Sequence, residues 1–136
     1  MFGMMRNPAE SYAKVSIDAA VETADPHRLV LMLFDGAIAA VTQARFQMAA
    51  EQIAEKGLSI SKAINLIMNG LRASLDLESG GALAERLAAL YEYMGQRLLF
   101  ANLKNSPAAL NEVEELLIGL REAWSQITPA GEQEAA

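Results

Sequence analysis

The sequence predicts an all-α protein, an antiparallel up-down four-helix bundle with a short N-terminal strap or helix. Asp25-Pro26 and Ser106-Pro107 are both typical helix starts, because a side-chain acceptor caps the first turn and proline suits its first position. Apolar residues recur three or four positions apart, which is the period of an amphipathic helix. Four such stretches of about 20 residues with short connections favour antiparallel neighbours. The sequence shows no strand pattern and no internal repeat.

Composition narrows the class of protein. With 136 residues, of which 52% are hydrophobic and 21% charged, the chain has the size of one domain and is too apolar for a disordered protein. The absence of cysteine excludes disulfides, thiolate zinc sites and cysteine nucleophiles. The net charge of −6 argues against nucleic acid as a partner, because phosphate binding needs a basic surface.

The apolar content does not predict a membrane protein. The densest apolar stretch, from Leu29 to Val41, is interrupted by Asp35 and is shorter than the ~20 residues that span a bilayer. The first residues of the chain lack the long apolar region of a secretory signal. We therefore expect a cytoplasmic protein without membrane insertion.

Three regions are expected along the chain: a flexible leader or cap over residues 1–24, the bundle over 25–128 and a disordered tail over 129–136. Glycines at Ser79-Gly80-Gly81 are expected to end the second helix, since glycine readily adopts the left-handed conformation. The four helices are predicted to run from Pro26 to Met48, from near Glu51 to about Leu75, from Ala82 to Lys104, and from Pro107 to about Ile127.

Each helix carries an apolar stripe that is expected to form the core. In chain order, the stripes comprise Val30, Leu33, Phe34, Ala37, Val41 and Ala44; Leu58, Ile60, Ile64, Ile67 and Leu71; Leu83, Leu87, Leu90, Met94 and Leu98; and Leu110, Val113, Leu117, Leu120, Trp124 and Ile127.

The first and third helices have more apolar residues than one stripe can hold. Residues 29–34 are six consecutive apolar residues, which cover more than one and a half helical turns and therefore point in nearly every direction. A helix that is apolar all round needs a further layer. A partner segment, a second copy of the chain, or no partner at all are the three explanations. The residues left off the stripes are Leu29, Leu31, Met32, Tyr91, Leu99, Phe100 and Leu103.

The sequence offers little for catalysis. The only histidine, His27, has no second histidine with which to form a di-iron site, and no metalloprotease, P-loop or dinucleotide motif is present. A histidine phosphotransfer domain could use His27, although a plain surface histidine is the favoured interpretation. No enzyme activity, cofactor or metal is expected. Interior glycines are interpreted as sites of close helix packing: Gly36, Gly70, Gly95 and Gly119.

Short motifs spread over nearly the whole chain, from about Ser11 to Ile127, carry a family resemblance. Their order and spacing resemble the flagellin-export chaperone family, FliS. One departure is Phe34, where the family often has tyrosine. The motifs are Ser-Tyr-Ala-Lys-Val at 11–15, Ala24 to Val30, Met32 to Ala37, Ser61 to Ile64, Asn69-Gly70-Leu71, Leu75-Asp76, Gly80-Gly81, Leu90 to Met94, Leu98 to Asn102, Glu112-Val113 and Ala123-Trp124.

The resemblance implies a cytoplasmic export chaperone that binds the disordered C-terminal segment of flagellin. It also implies that the chaperone prevents premature polymerisation and delivers flagellin to the flagellar type III export apparatus, so that export gate components are further expected partners. Trp124 is expected to anchor the core. Each apolar candidate for partner binding could equally pack in the core; the candidates are Tyr12, Val15, Ile17, Leu29, Met32, Gly36, Tyr91, Met94, Leu98 and Asn102.

Overall fold

A computed structural model describes residues 25–127, and within this range the chain is helical without strands, as the sequence predicts. Helix α1 spans Pro26–Ala49. Helix α2 spans Ile53–Asn65 and continues as a π-helix over Leu66–Arg72. Helix α3 spans Gly81–Lys104 and helix α4 spans Pro107–Ser125.

The four helices form a ring in which each is antiparallel to the next. Helices α1 and α3 lie diagonally across the core, because the main packing pairs are α1 with α2, α2 with α3, α3 with α4, and α4 with α1. Side-chain contacts join the four pairs. They are Ser59 with Gln47 between α1 and α2, Arg72 with Glu92 between α2 and α3, Arg97 with Glu112 between α3 and α4, and Arg121 with Asp35 between α4 and α1.

Both predicted helix caps are confirmed. The Asp25 carboxylate accepts a hydrogen bond from the backbone N–H of Arg28 at 2.8 Å, and the Ser106 hydroxyl accepts one from the N–H of Ala109 at 3.2 Å. Each bond satisfies an amide that has no partner within its helix, and a proline follows each cap.

The connection between α2 and α3 is built differently from the prediction. The π-helix ends at Arg72, well before the glycines. The Asp76 carboxylate then organises the loop by accepting hydrogen bonds from the N–H groups of Glu78 and Ser79 and from the Ser79 hydroxyl. These bonds, chiefly the one from the Ser79 hydroxyl, lower the pKa of Asp76. Gly80 is needed because a Cβ there would collide with the Asp76 backbone oxygen.

Interior glycines bring the helices close together, as the sequence suggests. A Cβ at Gly36 would lie 3.2 Å from a methyl group of Leu66, and one at Gly70 would lie 2.8 Å from a methyl group of Leu33. These contacts pack α1 against the π-helix. Gly119 is the exception, because a Cβ there would have no neighbour within 4 Å.

The predicted core of α1 is largely confirmed, but three residues of the other stripes lie outside, namely Leu58, Leu83 and, at the end of the last stripe, Ile127. All three are exposed. In α3, the buried face begins with Ala84, Ala88 and Tyr91 instead of Leu83. Alanine lets a neighbouring helix approach closely, so α3 presents its small residues to the bundle. Met94 and Leu98 of the predicted stripe are nevertheless buried, and Leu87 and Leu90 pack against the core, so the predicted face is rotated slightly from the buried one.

Helix α1 as a whole is long and apolar enough to cross a membrane, which differs from the expectation drawn from residues 29–41 alone. Its buried residues pack in the centre of the bundle: Phe34, Ala37, Ala40, Val41 and Ala44. A core helix of a bundle can have the same composition as a membrane span. Only 28% of the apolar window of α1 is buried, so packing accounts for part of its apolar character and leaves apolar surface on α1 uncovered.

Candidate functional site

Much apolar surface stays uncovered in the described part of the chain. Single exposed apolar residues are common on proteins, but contiguous ones mark an interaction surface. Eleven large apolar or aromatic residues between 25 and 127 are exposed: Phe46, Ile53, Leu58, Leu77, Leu83, Tyr93, Leu99, Phe100, Leu103, Ile118 and Ile127.

Three of these residues are neighbours near the end of α3, and we name them the α3 strip: Leu99, Phe100 and Leu103. Leu103 is 78% exposed and Leu99 60% exposed, and they lie four residues apart on one face of the helix. Leu99 follows Glu92 by seven residues, so it shares the side of α3 on which Glu92 pairs with Arg72 of the π-helix. The strip therefore extends along the border between α2 and α3.

Polar contacts flank the strip on its other side. Arg97 lies over the ring of Phe100, with 4.7 Å between the guanidinium carbon and the ring centre. Arg97 also donates to Glu112 of α4 at 2.8 Å, and the Tyr93 hydroxyl donates to the same carboxylate. The hydrogen bond from Tyr93, followed by that from Arg97, lowers the pKa of Glu112. This network fixes the α4 border of the strip.

A second apolar surface, which we name the Trp124 pocket, lies at the other end of α3. It has a volume of about 260 Å³ and lies between the start of α1, the loop after the π-helix, the start of α3 and the end of α4. Val30, Phe34, Leu83, Tyr91 and Trp124 are among its lining residues. The exposed Leu83 stands at its edge. Such a pocket suits one apolar side chain of a partner.

His27 and Trp124 join the two chain ends of the bundle. The Nε2 atom of His27 donates to the backbone oxygen of Trp124 at 2.8 Å, and the indole N–H of Trp124 donates to the backbone oxygen of His27 at 2.9 Å. The rings stack with their centres 5.2 Å apart. His27 is therefore a structural clamp and not a plain surface histidine. Because its Nε2 is occupied, phosphotransfer from His27 gains no support.

The predicted binding residues of α1 are partly accessible. Leu29, Met32 and Gly36 are each partly buried, so the bundle does not fully cover this side of α1. Asn102 is also partly buried, and its backbone oxygen accepts a hydrogen bond from Lys56. Their contact with a partner stays a prediction.

The predicted binding residues of α3 are mostly in the core. Met94 and Leu98 are completely buried by the chain itself, and Tyr91 is 4% exposed at the edge of the Trp124 pocket. The alternative of core packing, which the sequence left open, describes these three residues. The exposed face of α3 is formed instead by the α3 strip. The three leader candidates, Tyr12, Val15 and Ile17, lie outside the described residues.

Burial of Tyr91 has a consequence that can be measured. Burial raises the pKa of Tyr91 from its ordinary value of 10.0 to about 12. Since the folded state holds the neutral phenol, its contribution to stability is complete below pH 10 and is lost as the pH rises towards 12. We expect the free energy of unfolding, measured by urea denaturation, to fall across this range. Tyr91→Phe should lack this part of the fall; an identical pH dependence in both proteins would contradict it.

No group of three or more histidine, cysteine, aspartate or glutamate side chains that could hold a metal ion occurs between residues 25 and 127. The surfaces described above are built from apolar side chains and ion pairs. Their chemistry suits the binding of a polypeptide.

Comparison with known proteins decides the family. Residues 8–131 match the family model described as flagellar protein FliS. The chain belongs to the FliS family. The match covers all four helices, which confirms the resemblance drawn from the sequence. FliS proteins act in flagellum biogenesis as chaperones, and the helical bundle agrees with this family.

Individual relatives show the same family across most of the chain. The flagellar secretion chaperone FliS of Salmonella typhimurium is 51% identical over 120 residues, which are 88% of this chain and 89% of the relative. FliSB of Pseudomonas aeruginosa is 47% identical over 88% of this chain and 94% of its own length. The Escherichia coli K12 protein is 46% identical over 86% of each chain.

Proposed function

We propose that this protein is a flagellar export chaperone that binds the disordered C-terminal segment of flagellin, prevents its premature polymerisation and delivers it to the type III export apparatus. Membership of the FliS family and the relatives named as secretion chaperones support the general role. The single observation that supports a polypeptide partner is the exposed apolar surface, above all the α3 strip. Chaperone binding of this kind needs no catalysis.

The energetics favour a long, wrapping partner. Ordering one residue of a disordered segment costs about 1–2 kcal/mol, whereas fully covering one exposed leucine contributes about 1.5–3 kcal/mol. A short segment that covers only one leucine would therefore gain little net binding free energy. A segment that covers the α3 strip and inserts a side chain into the Trp124 pocket uses several anchors. Because ordering offsets much of that gain, binding stays reversible, as delivery requires.

Covering apolar surface on both molecules would also explain how polymerisation is prevented. A disordered segment that assembles through apolar helical faces cannot assemble while those faces lie on another protein. The bundle carries an acidic balance of charges, with a net charge of −6 for the whole chain. Apolar contact is therefore expected to dominate the affinity, and charge to add specificity at the borders of the surface.

The leader is proposed to compete with flagellin through Tyr12, Val15 and Ile17. It joins the bundle at Asp25, directly before the His27 clamp and the Trp124 pocket. A leader bound to this surface would shield it until flagellin arrives. A chain that starts at Asp25 should therefore bind flagellin more tightly than the full chain does, since it has no competing segment.

The test of the proposed function is calorimetric titration with full-length flagellin kept monomeric and with flagellin that lacks its C-terminal segment. We expect binding of the first and none of the second. Equal binding of both, or binding of neither, would contradict the proposal. Sedimentation of the chain alone at several concentrations distinguishes self-assembly, because exposed faces that pair two copies would give a mass that rises with concentration.

A further inference from the structure

A cavity at the other end of the bundle from the Trp124 pocket holds a buried positive charge. Its volume is about 340 Å³, and it lies between the turn that joins α1 to α2 and the turn that joins α3 to α4. Met48, Ala49 and Ile53 contribute apolar walls, and Glu51, Lys56 and Asn105 contribute polar ones. Glu51 makes no ion pair with Lys56 within 4 Å. We name it the Lys56 cavity.

Lys56 is 3% exposed, which is unusual for a lysine. Its ammonium group donates to the backbone oxygen of Asn102 at 3.0 Å and to the side-chain oxygen of Asn105. Both acceptors are neutral, and they use two of the three ammonium hydrogens. No carboxylate between residues 25 and 127 lies within 4 Å of this charge.

A buried charge without a counter-ion is costly, and burial of a lysine is normally accompanied by an anion. The end of α3 compensates part of the cost, because the last carbonyl groups of a helix carry partial negative charge. Two hydrogen bonds leave the third ammonium hydrogen without an acceptor among residues 25–127, and Lys56 lines the cavity. A carboxylate is the simplest group that would complete the site.

Two further features favour an anion in the same cavity. Gln52, at the start of α2, makes no side-chain cap, so the first amides of α2 lack an acceptor from that residue. The start of a helix also carries partial positive charge. Arg45 also lines the cavity and forms an ion pair with Glu114.

The position of the cavity connects it to the proposed binding surface. Leu103 of the α3 strip directly follows Asn102, whose backbone oxygen binds Lys56. A polypeptide that lies along the strip towards the end of α3 would arrive at the cavity. The apolar walls could then pack against its last side chain, and Lys56 could bind its terminal carboxylate.

We propose that the Lys56 cavity binds the C-terminal carboxylate of the exported chain. This inference rests on the proposed function, in which the C-terminal segment of flagellin is the part bound. It adds that the chaperone recognises the end of that chain and thereby fixes the register of the segment on the bundle. The apolar walls and the single buried ammonium suit a monoanionic terminus that carries an apolar or mixed side chain.

The experiment compares two synthetic peptides of the flagellin C-terminal segment, one with a free carboxylate and one with a C-terminal amide, by calorimetric titration into the full chain. We expect the amide to bind at least tenfold more weakly. If the cavity did not bind the carboxylate, the amide peptide should bind as tightly as the free acid or more tightly, because a negative charge at the C-terminal end of a helix is unfavourable and an amide carries none. Tighter binding of the free acid than of the amide therefore supports carboxylate binding by the cavity.

A substitution at the rim of the cavity provides the second arm. Ala49 is exposed and lines the cavity, so Ala49→Glu should keep the fold while placing a carboxylate beside the site. We expect it to weaken binding of the free-acid peptide and to leave the amide unchanged, with Ala49→Gln as the uncharged control. Equal affinity of both peptides would overturn the inference and leave the proposed function intact. Binding of neither peptide would overturn both.

Discussion

Replacing Leu99 and Leu103 together by serine is expected to weaken binding of the flagellin C-terminal segment by about tenfold or more. Covering one leucine contributes about 1.5–3 kcal/mol, and about 1.4 kcal/mol corresponds to a factor of ten. Both side chains are exposed, so the protein alone should lose little stability. Titration calorimetry measures the affinity, and urea denaturation measures the stability.

Leu58 supplies the matched control. It is an equally exposed leucine on α2, and it lies two residues after the buried Lys56, which places it on the outward side of that helix. Leu58→Ser should therefore leave the affinity unchanged. A free-energy loss for Leu58→Ser of about half that of the double variant would mean that the affinity follows total apolar surface instead of the α3 strip. An unchanged affinity in the double variant would remove the strip from the binding surface.

Local signals made much of the fold predictable. The caps at Asp25 and Ser106 act within three residues of themselves, so their hydrogen bonds follow from sequence alone. The core side of α1 was also largely predictable, because Phe34, Ala37 and Val41 recur three or four positions apart, and all three are buried. The family resemblance then supplied the expected role, which no motif of α1 could have shown by itself.

Orientation of α3 was harder to predict, for a physical reason. This helix has small or apolar residues on several sides, so more than one rotation satisfies the helical period. Close approach of the neighbouring helices decides between them, and it selects the side with Ala84 and Ala88. Tyr91, which the predicted stripe omitted, thereby joins Met94 and Leu98 on the buried side, whereas Leu83 lies outside. The apolar pattern of one helix does not show how closely its neighbours approach, so it could not select this rotation.

Long-range contacts were beyond the reach of the sequence. His27 and Trp124 are 97 positions apart, and nothing near either residue indicates that they bond and stack. Lys56 is a similar case, since a lysine in an amphipathic helix is normally expected at the surface. Its burial depends on the end of α3, where Asn102 and Asn105 provide acceptors.

Leu98→Ala is expected to have the largest effect on stability. Leu98 is fully buried in the centre of the bundle, where α3 faces the other helices. Shortening a buried leucine to alanine removes its packing and leaves a cavity, at a cost of about 2–5 kcal/mol. We expect a loss of this size in the free energy of unfolding, measured by urea denaturation with an unchanged slope.

Leu103→Ala on the same helix is the matched substitution, because it removes the same atoms from an exposed position. Its stability should change by no more than about 0.5 kcal/mol. Flagellin affinity should show the opposite order: Leu103→Ala weakens binding, whereas the folded fraction of Leu98→Ala binds as the unsubstituted protein does. A Leu98→Ala variant that kept its stability but lost affinity would show that Leu98 contacts the partner, and that the buried position of this leucine opens when flagellin binds.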